Sequence, residues 1–183
     1  MQYTSVAQIL EEIDETRGRL CSRVEGLSDE QANARKDQAA WSPAEILEHL
    51  ALIENRLLRM MSMMLTKAEG GGFRSDGDPI EMKSFSLDEL IEGARGTKFT
   101  APEAVTPSGK ASLVESLEKL RRSREELRSL RPRIEAADLS GVTYPHPSFG
   151  PLNFYQWLAF IGIHEDRHLR QIEAAVSTSA PPA

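Results

Sequence analysis

Phe160-Ile161-Gly162-Ile163-His164-Glu165-Asp166-Arg167-His168-Leu169-Arg170-Gln171-Ile172 reads as the middle of a long helix. Trp157, Ile161, His164, His168, Ile172 and Ala175 recur at steps of 4, 3, 4, 4 and 3, which is one stripe of a 3.6-residue period. Both histidines therefore stand on the inward stripe, one turn apart, while Glu165, Asp166, Arg167 and Arg170 fall mostly on the other faces. Neutral imidazoles in a core need partners for their ring nitrogens. A bound metal ion is one way to supply them.

The chain has 183 residues, of which 40% are hydrophobic and 27% charged, the composition of an ordinary globular protein with room for one core. Its net charge of -6 and pI near 5.3 argue against nucleic acid or an anionic membrane as the main partner, because both select a basic face. Cys21 is the one cysteine, so no intrachain disulfide can form. It lies in an amphipathic pattern and reads as a buried thiol rather than a nucleophile. No apolar run approaches the ~18 residues of a membrane span, and no basic-then-apolar segment opens the chain. The expectation is a cytoplasmic location.

Upstream, Thr4 or Ser5 starts a first helix running to about Glu25, with its apolar stripe interrupted at Thr16 and Arg17. Ser28-x-x-Gln31 suits one short capped turn. Ser42-Pro43-Ala44-Glu45 combines an N-cap, a proline in the first turn and a capping-box glutamate, which predicts a helix from there to about Thr66. His49 lies on its apolar side, between Ile46 and Ile53. Met60, Met61, Met63 and Met64 read as adaptable packing rather than a metal box, and as a surface available to an interface. Residues 68–110 break the pattern with Gly70-Gly71-Gly72, Pro79, Pro102 and Pro107; this long excursion reads as a lid, a binding loop or a dimer arm. A third helix, with Ser112 and Glu115 as its capping box, runs to about Ile134 and is interrupted by Pro132. After the turn-rich residues 138–151, Asn153-x-x-Gln156 caps the last helix, which ends near Val176. Residues 177–183 read as a disordered tail. Four amphipathic helices without a convincing strand make an all-α four-helix bundle, a single domain over 1–176, with its topology left open by the two long connections.

Bundles build metal sites from inward side chains on facing helices. His49, His164 and His168 are three such side chains on two helices. Three imidazoles suit zinc, nickel, copper or iron(II) and leave coordination positions free for water or substrate. The alternative is a set of core histidines hydrogen-bonded to carboxylates and backbone. Glu45 and Glu48 are candidate partners for the imidazole N–H groups.

Trp41-Ser42-Pro43-Ala44-Glu45-Ile46-Leu47-Glu48-His49-Leu50, His146-Pro147-Ser148-Phe149-Gly150-Pro151-Leu152, and Trp157 followed by His164-x-x-x-His168-Leu169-x-Gln171-Ile172 together resemble the DinB-like superfamily over nearly the whole chain. That resemblance implies an up-down-down-up four-helix bundle and a three-histidine metal site at His49, His164 and His168. It implies zinc or nickel first, with iron or manganese behind them, and a homodimer acting on a small molecule. It also implies thiol-dependent transfer or isomerisation with a low-molecular-weight thiol, or metal-dependent hydrolysis. A non-catalytic metal- or ligand-binding module is the reading from a different class. The long excursion is where the chain departs most from a minimal bundle.

No residue is an evident general base. Arg17 and Arg124 each replace an expected apolar residue inside a stripe. Each either snorkels to water or lines the pocket and binds a substrate carboxylate. His146, in a proline-flanked loop, reads as docking that loop rather than as a ligand or catalytic group.

Overall fold

In the computed structural model, which describes residues 2–71, 82–93 and 101–178, serine caps start the helices where the sequence places them. Strand β1 (Gln2–Tyr3) leads into α1 (Val6–Val24), whose cap Ser5 accepts from the Gln8 N–H. Ser28 and Gln31 form the capping box of the short α2 (Asp29–Asn33). Ser42 and Glu45 form that of α3 (Pro43–Gly70), a helix one turn longer than expected. β2 (Phe85–Ser86), α4 (Asp88–Gly93) and a 3-10 turn at Glu103–Val105 follow. Ser112 and Glu115 then cap α5 (Leu113–Ser129), and Pro132 marks the break into α6 (Arg131–Glu135). β3 (Thr143–His146) and β4 (Gly150–Asn153) precede α7 (Phe154–Thr178), at whose start Asn153 and Gln156 exchange side-chain-to-backbone hydrogen bonds.

Two details differ from the sequence reading. Short strands are present: β1 pairs with β2, and β3 with β4, both antiparallel. The second hairpin sets Pro145 opposite Pro151, and proline on a two-stranded ribbon is tolerated where no ladder N–H is required; such residues read as loop. The expected tail begins late, since Ser177 and Thr178 still belong to α7; residues 179–183 lie outside the described residues, as do Gly72 and Pro79 of the excursion.

Two apolar clusters set the helix directions. Leu20 and Val24 of α1 pack with Ile46 and Leu47 of α3, Leu117 and Leu120 of α5, and Leu169, Ile172 and Val176 of α7. Ile9, Leu10 and Ile13 pack with Leu58, Met61 and Leu65, with Leu127, and with Phe154, Trp157 and Ile161. The end of α1 thus meets the start of α3, the start of α5 and the end of α7. α1 and α7 run one way and α3 and α5 the other, which is up-down-down-up. Parallel neighbours cannot be joined by a tight turn. After α3, about 42 Å long at 1.5 Å per residue, the chain must return along the bundle before α5 begins. That return is the excursion.

Met60, Met61 and Met64 are core residues, whereas Met63 is 60% exposed. No described helix is long and apolar enough to cross a membrane. The α1–α7 contact is close at Gly162, where an added Cβ would stand 2.9 Å from Ile13 Cγ2. Ile13 is buried and β-branched and cannot swing aside. Gly162→Ala is therefore expected to destabilise the fold by about 1–2 kcal/mol in chemical denaturation. Overpacking of about 1–3 kcal/mol outweighs the roughly 1 kcal/mol gained in helix propensity. An unchanged or raised midpoint would show that the two helices part without cost.

Candidate metal centre

The helix periods bring His49 of α3 against His164 and His168 of α7, three turns in from the end of that helix. One ligand atom from each lies within 4.8 Å of the other two. His49 and His168 are buried and His164 is half-buried. The His164 and His168 Nε2 atoms are 3.2 Å apart. The outer nitrogens have partners of their own. His49 Nδ1 lies 2.7 Å from the Val105 carbonyl oxygen and His168 Nδ1 lies 2.8 Å from Gln171 Oε1. A carbonyl oxygen can only accept, so both Nδ1 atoms carry protons and both Nε2 atoms present lone pairs to the centre.

This arrangement suits a divalent cation. Nitrogen ligands at about 2.0–2.1 Å in tetrahedral geometry stand about 3.3 Å from one another, close to the 3.2 Å already present on α7. Supported Nδ1–H groups that fix tautomer and ring orientation are what metal-binding histidines require. Three protein ligands leave a position for an exogenous group.

The excursion, rather than a helix, supplies the support for His49. Glu48 accepts from Ser108 N (3.1 Å), Ser108 Oγ (2.6 Å) and Gly109 N (2.9 Å), which ties the end of the excursion to the first turns of α3 and sets Val105 over the imidazole. Burial opposes the charge of Glu48, but these donors outweigh it and lower its pKa. Glu48 thus acts on the neighbouring loop and not directly on an imidazole. Glu45 is held by its cap and by Arg35. The Trp41 ring lies 4.8 Å from that of His49 and 6.5 Å, stacked, from that of His168. Val105 acts through its carbonyl, which no residue identity can reveal. Gln171 was legible in principle, as a polar residue three after His168 on one helix face.

The structure does not place Arg17 and Arg124 at the histidine centre or in water. Arg17 is 7% and Arg124 3% exposed, and their nitrogens, Arg124 Nε excepted, donate to the chain itself. Arg17 donates to Glu165 Oε1 through Nε (2.5 Å), to the Leu120 carbonyl through Nη1, and to Glu54 Oε2 through Nη2. Arg124 donates to the Ile13 carbonyl, to Asp14 Oδ1 (3.0 Å) and to Glu165 Oε2 (3.2 Å). Internal carboxylates and main-chain carbonyls meet these guanidinium groups where a substrate carboxylate was one expectation. Glu165, read as lying off the inward face, is 2% exposed, because α7 is covered on more than one side.

His146 stays apart from the three. Its ring packs on Phe149, Trp157 and Phe160 at 4.5, 5.2 and 4.9 Å, and its Nδ1 accepts from the Ser148 and Phe149 N–H groups. It staples the β3–β4 turn to α7. Burial raises the pKa of the Cys21 thiol, as suits a packed rather than a reactive sulfur.

Burial lowers the pKa of all three clustered histidines, with mutual repulsion adding to it for His164 and His168; His168 falls to about 3. A folded pKa below the unfolded 6.5 means that the unfolded chain binds more protons below pH 6.5. Stability from these groups is complete above that pH and is lost progressively as pH falls toward the folded values. Metal-free protein is therefore expected to lose at least about 1 kcal/mol between pH 7 and pH 5, roughly 2–4 °C in Tm for a chain of this size. A flat Tm over that range, read by circular dichroism, would contradict the buried neutral trio.

The model of the DinB superfamily matches residues 12–172. The protein YuaE of Bacillus subtilis (strain 168) is 30% identical over 162 residues, covering 87% of this chain and 92% of its own. Among solved structures, TT2238, a four-helix bundle protein, superposes with a TM-score of 0.62 at 23% identity, over 93% of this chain and 99% of its own. YfiT from Bacillus subtilis, a probable metal-dependent hydrolase with an unusual four-helix bundle topology, gives 0.54 at 16% identity, over 96% and 88%.

Proposed function

Because this chain belongs to the DinB superfamily, we propose that it is a metal-dependent enzyme holding zinc or nickel at His49, His164 and His168. The observation that carries this reading is the convergence of the three imidazoles with two of their outer nitrogens already protonated and bonded. When bound, the metal supplies a Lewis acid that lowers the pKa of an exogenous nucleophile.

The chain's own groups favour a thiol as that nucleophile. Glu54 and Glu165 bond arginines and Glu48 bonds Ser108 and Gly109. None of these three carboxylates bonds an imidazole of the trio, although Glu54 Oε1 has no hydrogen-bond partner and borders a small cavity with His164. A thiol ionises near pH 8.5 unaided, whereas water needs far more help (pKa about 15.7). The reaction proposed is therefore transfer of a low-molecular-weight thiol to a small electrophile, or isomerisation through it. Hydrolysis is the second reading, favoured by the likeness to YfiT. The proposal extends to a homodimer, for which the exposed Met63 and Leu52 side chains of α3 offer apolar area.

The test uses tag-free protein loaded with zinc or nickel. Turnover of a nitroaryl halide is followed with and without cysteine or glutathione, and of a nitrophenyl ester without thiol, identifying products by mass. Thiol-dependent adduct formation that disappears in His168→Ala supports transfer. Thiol-independent ester cleavage with the same dependence supports hydrolysis, and no turnover of either kind leaves a binding module.

A further inference from the structure

Four buried charges cross the bundle midway between its two apolar clusters: Arg17 from α1, Glu54 from α3, Arg124 from α5 and Glu165 from α7. Exposed Arg128 neutralises Asp14 at the edge. A network of this kind is not an economical source of stability, because each ion loses its hydration. Its best-attested use is to fix one arrangement among several. Here the arrangement concerns the helices that carry the histidines. Arg17 donates to Glu165 on α7 and to Glu54 on α3, and so braces the helix of His164 and His168 directly against the helix of His49. Glu165 follows His164 and precedes His168 by three residues, so the three move together when α7 turns. Its second oxygen is held by Arg124 from another side. Two arginines on two helices fix both the rotation and the height of that turn. A cavity of about 10 Å³ is bordered by His164, Glu54 and Glu165 together, with Leu50, Ile53, Leu57 and Ile161 completing its lining, so the two carboxylates of the network reach the same small space as one imidazole of the centre.

We propose that Glu165 and Glu54, braced by Arg17, are positioning residues that set the rotation of α7 against α3 and thereby the geometry of the three-histidine centre. This rests on the metal reading above. Rotation of α7 by about 10° moves an atom ~6 Å from its axis by about 1 Å, against a tolerance of about 0.2 Å in metal–ligand distance. Two opposed arginine–carboxylate bonds, which are directional, resist such a turn beyond what the close Gly162–Ile13 packing does.

The test titrates the metal-free full chain with Co(II) and follows the visible absorption, whose intensity reports coordination geometry, with helicity and Tm measured beside it. The double variant Arg17→Met/Glu165→Leu removes one charge of each sign and keeps the fold's apolar volume. It is expected to bind Co(II) about 10–100-fold more weakly, with an altered spectrum at saturation, while remaining helical. Glu165→Gln, which keeps the shape, is expected to weaken binding in the same direction and decides the matter if the double variant does not fold. Wild-type protein that takes up no Co(II), zinc or nickel overturns the metal reading and this inference with it. Wild-type protein that binds, with folded variants matching its affinity and spectrum, overturns the positioning role alone.

Discussion

His168→Ala is expected to leave the chain without stoichiometric metal. Tag-free wild-type protein equilibrated with zinc or nickel and passed through a desalting column should carry about one ion per chain, and the variant almost none. His168 presents Nε2 to the centre because Gln171 accepts from its other nitrogen, and the same Nε2 lies 3.2 Å from that of His164. Removing the ring takes away a ligand, not a supporter. The loss should exceed the roughly 10–100-fold that follows from losing a supporting partner, which is the size expected of Gln171→Ala. His49→Ala should behave as His168→Ala does, since His49 brings the only contribution from the opposite helix to this cluster. His146→Ala should keep its metal, because that ring is occupied with the β3–β4 turn. Elemental analysis of the four variants separates a three-histidine centre from a set of core imidazoles. Equal metal in all four would mean that the ion, if any, sits elsewhere.

What made the bundle legible was local and periodic. Ser42-Pro43-Ala44-Glu45 and Ser112 with Glu115 announce helix starts by capping chemistry, and all three elements of that chemistry are side chains. His49, His164 and His168 are legible because each stands where an apolar residue would. The same rule flagged Arg17 and Arg124, and it was right that they point inward. It failed on what they meet, because a stripe describes one helix and the partners Glu54 and Glu165 lie on two others. Glu165 was hidden for a related reason: a single-face pattern assumes one buried side, whereas α7 is packed by both α1 and α3. The excursion read as a lid, a binding loop or a dimer arm because pairing direction cannot be seen in a periodicity. Once α3 and α5 are parallel, a long return is obligatory, and its last turns are the ones that hold His49 through Val105. That support runs through a main-chain carbonyl and through the Glu48 bonds to Ser108 and Gly109, neither of which has a sequence period.

Arg17→Met should cost about 3–5 kcal/mol of stability at pH 7, the range for breaking a buried ion pair from one side. The side chain holds Glu54, Glu165 and the Leu120 carbonyl at once. Once it is gone, Glu165 keeps only its 3.2 Å bond to Arg124, and the nearest guanidinium nitrogen to Glu54 is Arg124 Nε at 3.5 Å. Neither that nitrogen nor Glu54 Oε1 has a hydrogen bond in the intact network, so their 3.5 Å pairing holds Glu54 less firmly than the Arg17 bond does. The double variant Arg17→Met/Glu165→Leu removes one of the two carboxylates that Arg17 holds and should recover part of the loss, with Glu54 left to its 3.5 Å pairing with Arg124. The pH dependence identifies the cause. Burial already raises the Glu165 pKa, against the pull of Arg17 and Arg124; without Arg17 it rises further above the unfolded value. A carboxyl with a raised folded pKa binds more protons in the folded state, so its penalty is greatest at high pH and shrinks as pH falls. The difference in unfolding free energy between wild type and Arg17→Met, taken at each pH so that the opposite trend of the histidines cancels, should therefore narrow from pH 7 to pH 5. A constant difference would assign the loss to packing of the arginine stem instead. A double variant as unstable as the single one would mean that Arg17 stabilises the fold mainly through Glu54 and the Leu120 carbonyl, and that Glu165 is held well enough by Arg124 alone.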